Sequence, residues 1–98
     1  MFKKGLLRRN WIYSDEGFSV QVLRRDCIVY RESARRMAVT ADTGLHDFAV
    51  LVDTIGRWDD DPLNLLVPEE QERIAFNIKR ALESQGTTCS LLRPEVPN

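Results

Sequence analysis

The sequence predicts a single α+β domain: an antiparallel sheet of about five to six strands, one C-terminal helix packed on a face, and a short last strand. Three observations carry that expectation. Short runs of alternating apolar and polar residues recur from Trp11 to Asp53, separated by turn residues. One amphipathic stretch opens at Pro68 and is closed by Gly86. A final run, Thr87 to Leu92, has strand composition and is stopped by Pro94 and Pro97. The 98 residues, 43% hydrophobic, suit one core. A chain of this size buries roughly 60 to 68% of its unfolded surface, which weighs against a deep cavity or a large-substrate enzyme.

Trp11 to Tyr13 is a short aromatic and β-branched run, and Ser14, Asp15, Glu16 and Gly17 follow it with turn character, so a hairpin is expected. Phe18, Val20 and Val22 alternate with Ser19 and Gln21 until Arg24, Arg25 and Asp26 break the pattern. Cys27 to Glu32 is the next strand. Cys27 and Val29 share one face and Ile28 and Tyr30 the other, the pattern of a central strand covered on both sides. Arg36 to Thr40 alternates again, with Met37 and Val39 on one face, and Asp42, Thr43 and Gly44 mark a turn.

Asp47 to Asp53 is the strongest strand signal, with Phe48, Val50 and Val52 inward and Ala49 and Leu51 between them. A strand apolar on both faces belongs inside a sheet rather than at its edge. Ile55 and Trp58 extend the apolar character. Asp59, Asp60, Asp61, Pro62 and Asn64 then form a loop that Leu63, Leu65, Leu66 and Val67 are expected to pin onto the core. The helix begins at Pro68, where a missing amide proton costs nothing. Glu69, Glu70 and Glu72 complement its positive end. Ile74, Ile78, Ala81 and Leu82 form one apolar stripe with Ala75 beside them, and Glu69 with Arg73 and Lys79 with Glu83 are i,i+4 pairs on the wet side.

The formal net charge of −1 conceals an asymmetry. Residues 1–40 carry nine Lys and Arg against four acids, and residues 41–98 carry five against eleven. Opposite fields on different surfaces would favour oriented encounter with a charged partner. Two cysteines, Cys27 and Cys89, are too few and too far apart for a zinc knuckle or disulfide framework and read as buried small hydrophobes. A single bridge between neighbouring strands is the rival reading, and it needs an oxidising compartment. Lys3, Lys4, Arg8 and Arg9 flank an apolar core too short for a signal peptide, and no later run approaches a membrane span. A cytoplasmic protein is the expectation, with residues 1–9 and 93–98 as flexible tails.

The succession of a β run, Thr54, Ile55, Gly56, Arg57, Trp58, an acid and proline loop, Pro68, Glu69, Glu70, and then Ile74, Ile78, Ala81, Leu82 and Gly86 resembles the small bacterial immunity proteins of polymorphic toxin systems, specifically the immunity protein 74 family. The resemblance covers about half the chain, and Ile55 and Trp58 followed by the acidic helix start are its most specific part. The Asp59 to Asn64 loop departs from the family's order of prolines and acid. What the resemblance implies is a protein that binds and neutralises a toxin made by its own cell or kin, with no catalysis, no cofactor and no small-molecule substrate. The partner-binding candidates are Trp58, Asp59, Asp60 and Asp61. Trp58 suits a core anchor better, and the acids suit an interface, where they could mimic phosphate in a basic toxin cleft.

Other chemistries find less support. His46 beside Asp47 is the lone candidate base, with no nucleophile placed near it, and a loop histidine is commonly plain polar surface. Asp59, Asp60 and Asp61 lack the carboxylate spacing and glycine of a calcium loop, so no metal is expected, and no phosphate-binding glycine pattern is present. The second functional reading is a small nucleic-acid-binding or accessory-subunit module that uses Arg24, Arg25, Arg31, Arg35 and Arg36. An acidic pI near 5.8 and the lack of aromatics interleaved with those arginines weigh against it. Oligomeric state has no sequence signature here.

Overall fold

The computed structural model describes residues 2–4, 11–43 and 47–93, with backbone alone for residues 2–4 and Thr43. The elements are β1 (Phe2–Lys4), β2 (Trp11–Ser14), β3 (Phe18–Arg24), β4 (Cys27–Glu32), β5 (Arg35–Thr43), β6 (Asp47–Leu51), a 3-10 turn (Val52–Thr54), α1 (Pro68–Glu83) and β7 (Thr88–Leu92). The strands lie in chain order across one sheet. The α+β architecture expected from sequence is the one observed. All pairs from β1 to β6 are antiparallel, and β7 lies parallel to β6. That last pairing follows from α1, which carries the chain back to the end of the sheet where β6 begins.

Tight turns set the register of the meander. Gly17 takes φ 97 in the β2–β3 turn, where Ser14 Oγ accepts the Glu16 amide at 2.9 Å. The β4–β5 turn places Ser33 and Ala34 at φ 51 and 64, the left-handed pair that a two-residue hairpin demands. β4 is the central strand: Ile28, Val29 and Tyr30 are all buried, so both of its faces are covered. Its Cys27 lies on the face opposite Ile28, and Cys89 lies in the core on β7, three strands away. Both thiols are free, which removes the bridge between neighbouring strands. Burial pushes the Cys89 thiol up to about 11, so it stays protonated and unreactive at neutral pH.

β5 is longer than its sequence pattern suggested and serves two neighbours in succession. Residues 35–40 pair with β4, and Ala41, Asp42 and Thr43 pair with β6. The first half of β5 therefore has one side without a strand. The chain after β6 fills that side: Thr54 Oγ1 accepts the Thr40 amide at 2.9 Å and donates to the Leu51 carbonyl, and the Asp59 amide donates to the Arg36 carbonyl at 2.9 Å. β6 ends at Leu51, earlier than expected, because the 3-10 turn must bend the chain back along β5.

The inner face of the sheet and one stripe of α1 form the core. Ile74, Ala75, Ile78, Ala81 and Leu82 meet Ile12, Val20, Ile28, Met37, Val39, Val50, Val52, Ile55 and Trp58. Burying aliphatic side chains this size contributes roughly 1.5–3 kcal/mol each. Two expectations fail here. Arg73 pairs with Glu70 and Glu32 rather than Glu69, because the sheet lies within its reach on that side. Of the loop's aliphatic residues, Leu66 alone packs on the core. Leu63, Leu65 and Val67 are 93, 68 and 55% exposed.

Gly86 follows the helix at φ 87, and a Cβ there would meet nothing within 4 Å. The cost of a side chain at this position is therefore conformational alone. Gly86→Ala is expected to lower stability by about 1 kcal/mol, and Gly86→Asn by less, in urea unfolding. A Gly86→Ala protein as stable as the parent would show that the left-handed turn is not needed.

Candidate partner-binding site

Trp58 is fixed first. Its indole is 5% exposed and stands 6.1 Å from the Tyr30 ring, which in turn stacks 5.7 Å from Phe18. An arginine closes each end of this ladder: Arg35 lies 4.9 Å over Trp58, and Arg80 lies 5.8 Å over Phe18. Such contacts add to the area that the rings bury. Trp58 thus holds the loop from within, and little of its surface faces outward.

The loop between Gly56 and Leu66 is tied at its base and across its middle. The Leu66 amide donates to the Gly56 carbonyl at 2.8 Å, Gln71 Nε2 to the Ile55 carbonyl at 2.8 Å, and Arg57 Nη1 to the Pro62 carbonyl at 2.8 Å. Within it, the Asp61 amide donates to the Trp58 carbonyl and Asn64 Nδ2 donates to Asp61 Oδ1. This is a compact surface loop with closed ends, of the kind that often carries function. Its rim is charged: Asp59 lies 3.2 Å from Arg36, Asp60 3.2 Å from Arg35, and Asp61 3.8 Å from Arg35. Its tip is apolar, made of Leu63 and Leu65, with Val67 beside the helix start.

The structure thus brings Trp58, Asp59, Asp60 and Asp61 together on one support but gives them different surroundings. Two arginines, Arg35 and Arg36, pair with the three aspartates, so most of the rim's negative charge is compensated. Exposed pairs of this type are individually worth little, which leaves the carboxylates open to exchange partners. The exposed leucines are what the sequence reading missed. The sequence hid them: Leu63, Leu65 and Val67 alternate at period 2, as the buried side of a strand would.

A second polar cluster joins α1 to the hairpin turns. Tyr30 Oη donates to Glu32 Oε1 at 2.6 Å and accepts from Asn77 Nδ2 at 2.9 Å. Arg73 clamps both oxygens of Glu32 at 2.6 and 2.9 Å, and Arg80 clamps both of Glu16 at 2.8 and 3.1 Å while also donating to Asn77 Oδ1. The Arg73 guanidinium holds the Glu32 carboxyl below its usual range, and the Arg80 guanidinium does the same for Glu16. Burial, and then the bond to Glu32, push the Tyr30 phenol up. The carboxylates, the phenol and the amide of this cluster are bonded to one another or to the two guanidinium groups, so it reads as a brace. Asn77 on an otherwise apolar helix stripe was its one sequence clue.

The remaining candidates disperse. His46 lies outside the described residues. No group of three potential metal ligands occurs among the described residues. The five arginines of the nucleic-acid reading do not share a face: Arg31 and Arg36 pair on the outer side, Arg35 turns inward over Trp58, and Arg24 and Arg25 sit at the other end of β4. No helix among the described residues is long and apolar enough to cross a membrane. No family model matches the chain, and no curated protein or solved structure is significantly similar to it.

The Glu32–Arg73 clamp has a pH signature. A carboxyl held below its ordinary 4.5 in the fold contributes stability that is complete above that value and is lost as pH falls through the lowered one. Glu32→Gln is therefore expected to destabilise the protein at neutral pH and to flatten the acid limb of its stability curve. Denaturant unfolding across pH checks this, and an unchanged acid limb would contradict it.

Proposed function

We propose that this protein is an immunity protein that neutralises a cognate bacterial toxin by stoichiometric binding, acting in the cytoplasm, and that the 56–66 loop is the surface it presents. One observation carries the choice of surface: Leu63 stands almost fully in solvent and Leu65 is largely exposed, on a loop that is hydrogen-bonded at both ends. An ordered apolar tip with a charged rim has the anatomy of a protein interface, and pre-organisation lowers the entropy lost on binding. The resemblance of the Ile55 to Gly86 pattern to immunity protein 74 supports the toxin as the partner. Asp59, Asp60 and Asp61 supply the rim, where cationic residues of the toxin would compete with Arg35 and Arg36 for the carboxylates. No step of this function needs a catalyst, a cofactor or a small-molecule substrate.

The test is binding and protection against the toxin encoded beside this protein's gene. Leu63→Asp with Leu65→Asp is expected to weaken binding about 100-fold and abolish protection while thermal unfolding stays unchanged, because both side chains are exposed. Replacing Asp59, Asp60 and Asp61 together by alanine is expected to slow association about tenfold and reduce its salt dependence. Undiminished affinity in the leucine variant would remove the loop as the interface. Failure of the parent protein to bind that toxin would remove the immunity function itself.

A further inference from the structure

The outer face of the sheet carries a second feature. Tyr13, Ser19 and Arg31 are cross-strand neighbours on β2, β3 and β4, so successive members stand about 4.8 Å apart in one row. They line a cleft of about 270 Å³ together with Ser14 and Ser33 from the adjoining turns. The row ends at Arg36, which is engaged by Asp59.

Arg31 differs from most arginines of this chain. Arg24, Arg35, Arg36, Arg73, Arg80 and Arg93 all pair with carboxylates. Arg31 meets no carboxylate among the described residues; its guanidinium lies 4.7 Å over the buried Trp11 ring instead. That stack fixes the plane of the fork while leaving its N–H edge exposed. The hydroxyls of Tyr13, Ser19 and Ser33 donate no hydrogen bond to another described residue. The one carboxylate in the lining, Glu32, is held by Arg73 and Tyr30.

We propose that this cleft binds a phosphomonoester: Arg31 forks onto two phosphate oxygens, Ser19 and Ser33 donate to the same group, and the exposed Tyr13 ring flanks the ester substituent. An unspent cation and three unspent hydroxyls match a tetrahedral dianion, whose oxygens take several donors at once. The volume falls just below that of drug-sized pockets, so the site suits the phosphate and little more than the first group attached to it.

Titration of the ¹⁵N-labelled full chain at constant ionic strength with inorganic phosphate, phenyl phosphate or acetate tests this. Both phosphates are expected to give saturable shifts at the Ser19 and Arg31 amides, phenyl phosphate binding more tightly and acetate at least about tenfold more weakly. Arg31→Met, which keeps an aliphatic stem over Trp11, is expected to weaken phosphate binding at least about tenfold. Ser19→Ala, which leaves the stack intact, is expected to weaken it about threefold, and Arg25→Met, at the other end of β4, to leave it unchanged. Phosphate shifts that do not saturate, affinity unchanged in both Arg31→Met and Ser19→Ala, or acetate bound as tightly as phosphate would each overturn the proposal.

Discussion

The open side of β5 is the constraint on which the rest of this structure depends. A strand that leaves one neighbour for another halfway along exposes main-chain groups on the abandoned side, and such groups must find partners. Residues 35–40 face that problem because β6 pairs only with Ala41, Asp42 and Thr43. A hydroxyl from Thr54 and an amide from Asp59 answer it, at Thr40 and Arg36. The segment after β6 is thereby laid along β5 as a substitute strand. This one requirement ends β6 early, places Ile55 and Trp58 in the core, and brings Asp59, Asp60 and Asp61 beside Arg35 and Arg36.

Charge follows the same geometry. The basic first half and acidic second half of the chain read as a dipole in sequence, yet the fold sets them against each other. Arg35 and Arg36 of β5 meet the aspartates of the loop, Glu32 of β4 meets Arg73 of the helix, and Glu16 of the β2–β3 turn meets Arg80. Much of the asymmetry is spent on contacts between halves, and what those contacts leave over is the leucine tip of the loop and the fork of Arg31, which meets no carboxylate among the described residues. The ladder of Phe18, Tyr30 and Trp58, with an arginine at each end, connects the two seams.

Local periodicity made most of the scaffold legible. The bounds of β4 and the start of α1 coincide with the sequence pattern, because two-sided burial of Ile28 to Tyr30 and a proline followed by acids are local signals. The core positions Ile55, Trp58, Ile74, Ile78 and Leu82 were legible for the same reason. What escaped depends on residues distant in the chain. The parallel β6–β7 pair is decided by the path of the helix, and the partner of Arg73 by the sheet beneath it. Leu63 and Leu65 look like core residues in sequence, and only the closed base of the loop keeps them out of the core. Trp58 and the three aspartates were found together, whereas their compensation by Arg35 and Arg36 required the β5 register.

Amide hydrogen exchange at Thr40 and Asp59 reads the closure of β5 most directly. If the loop is an integral edge of the sheet, both amides are protected to nearly the same degree as those of Met37 and Val39, and Thr54→Ala lowers the protection of Thr40 while leaving Val29 unchanged. Exchange of Thr40 and Asp59 at the rate of an open loop, with Met37 and Val39 still protected, would contradict it and leave the aspartates and the leucine tip without a fixed support.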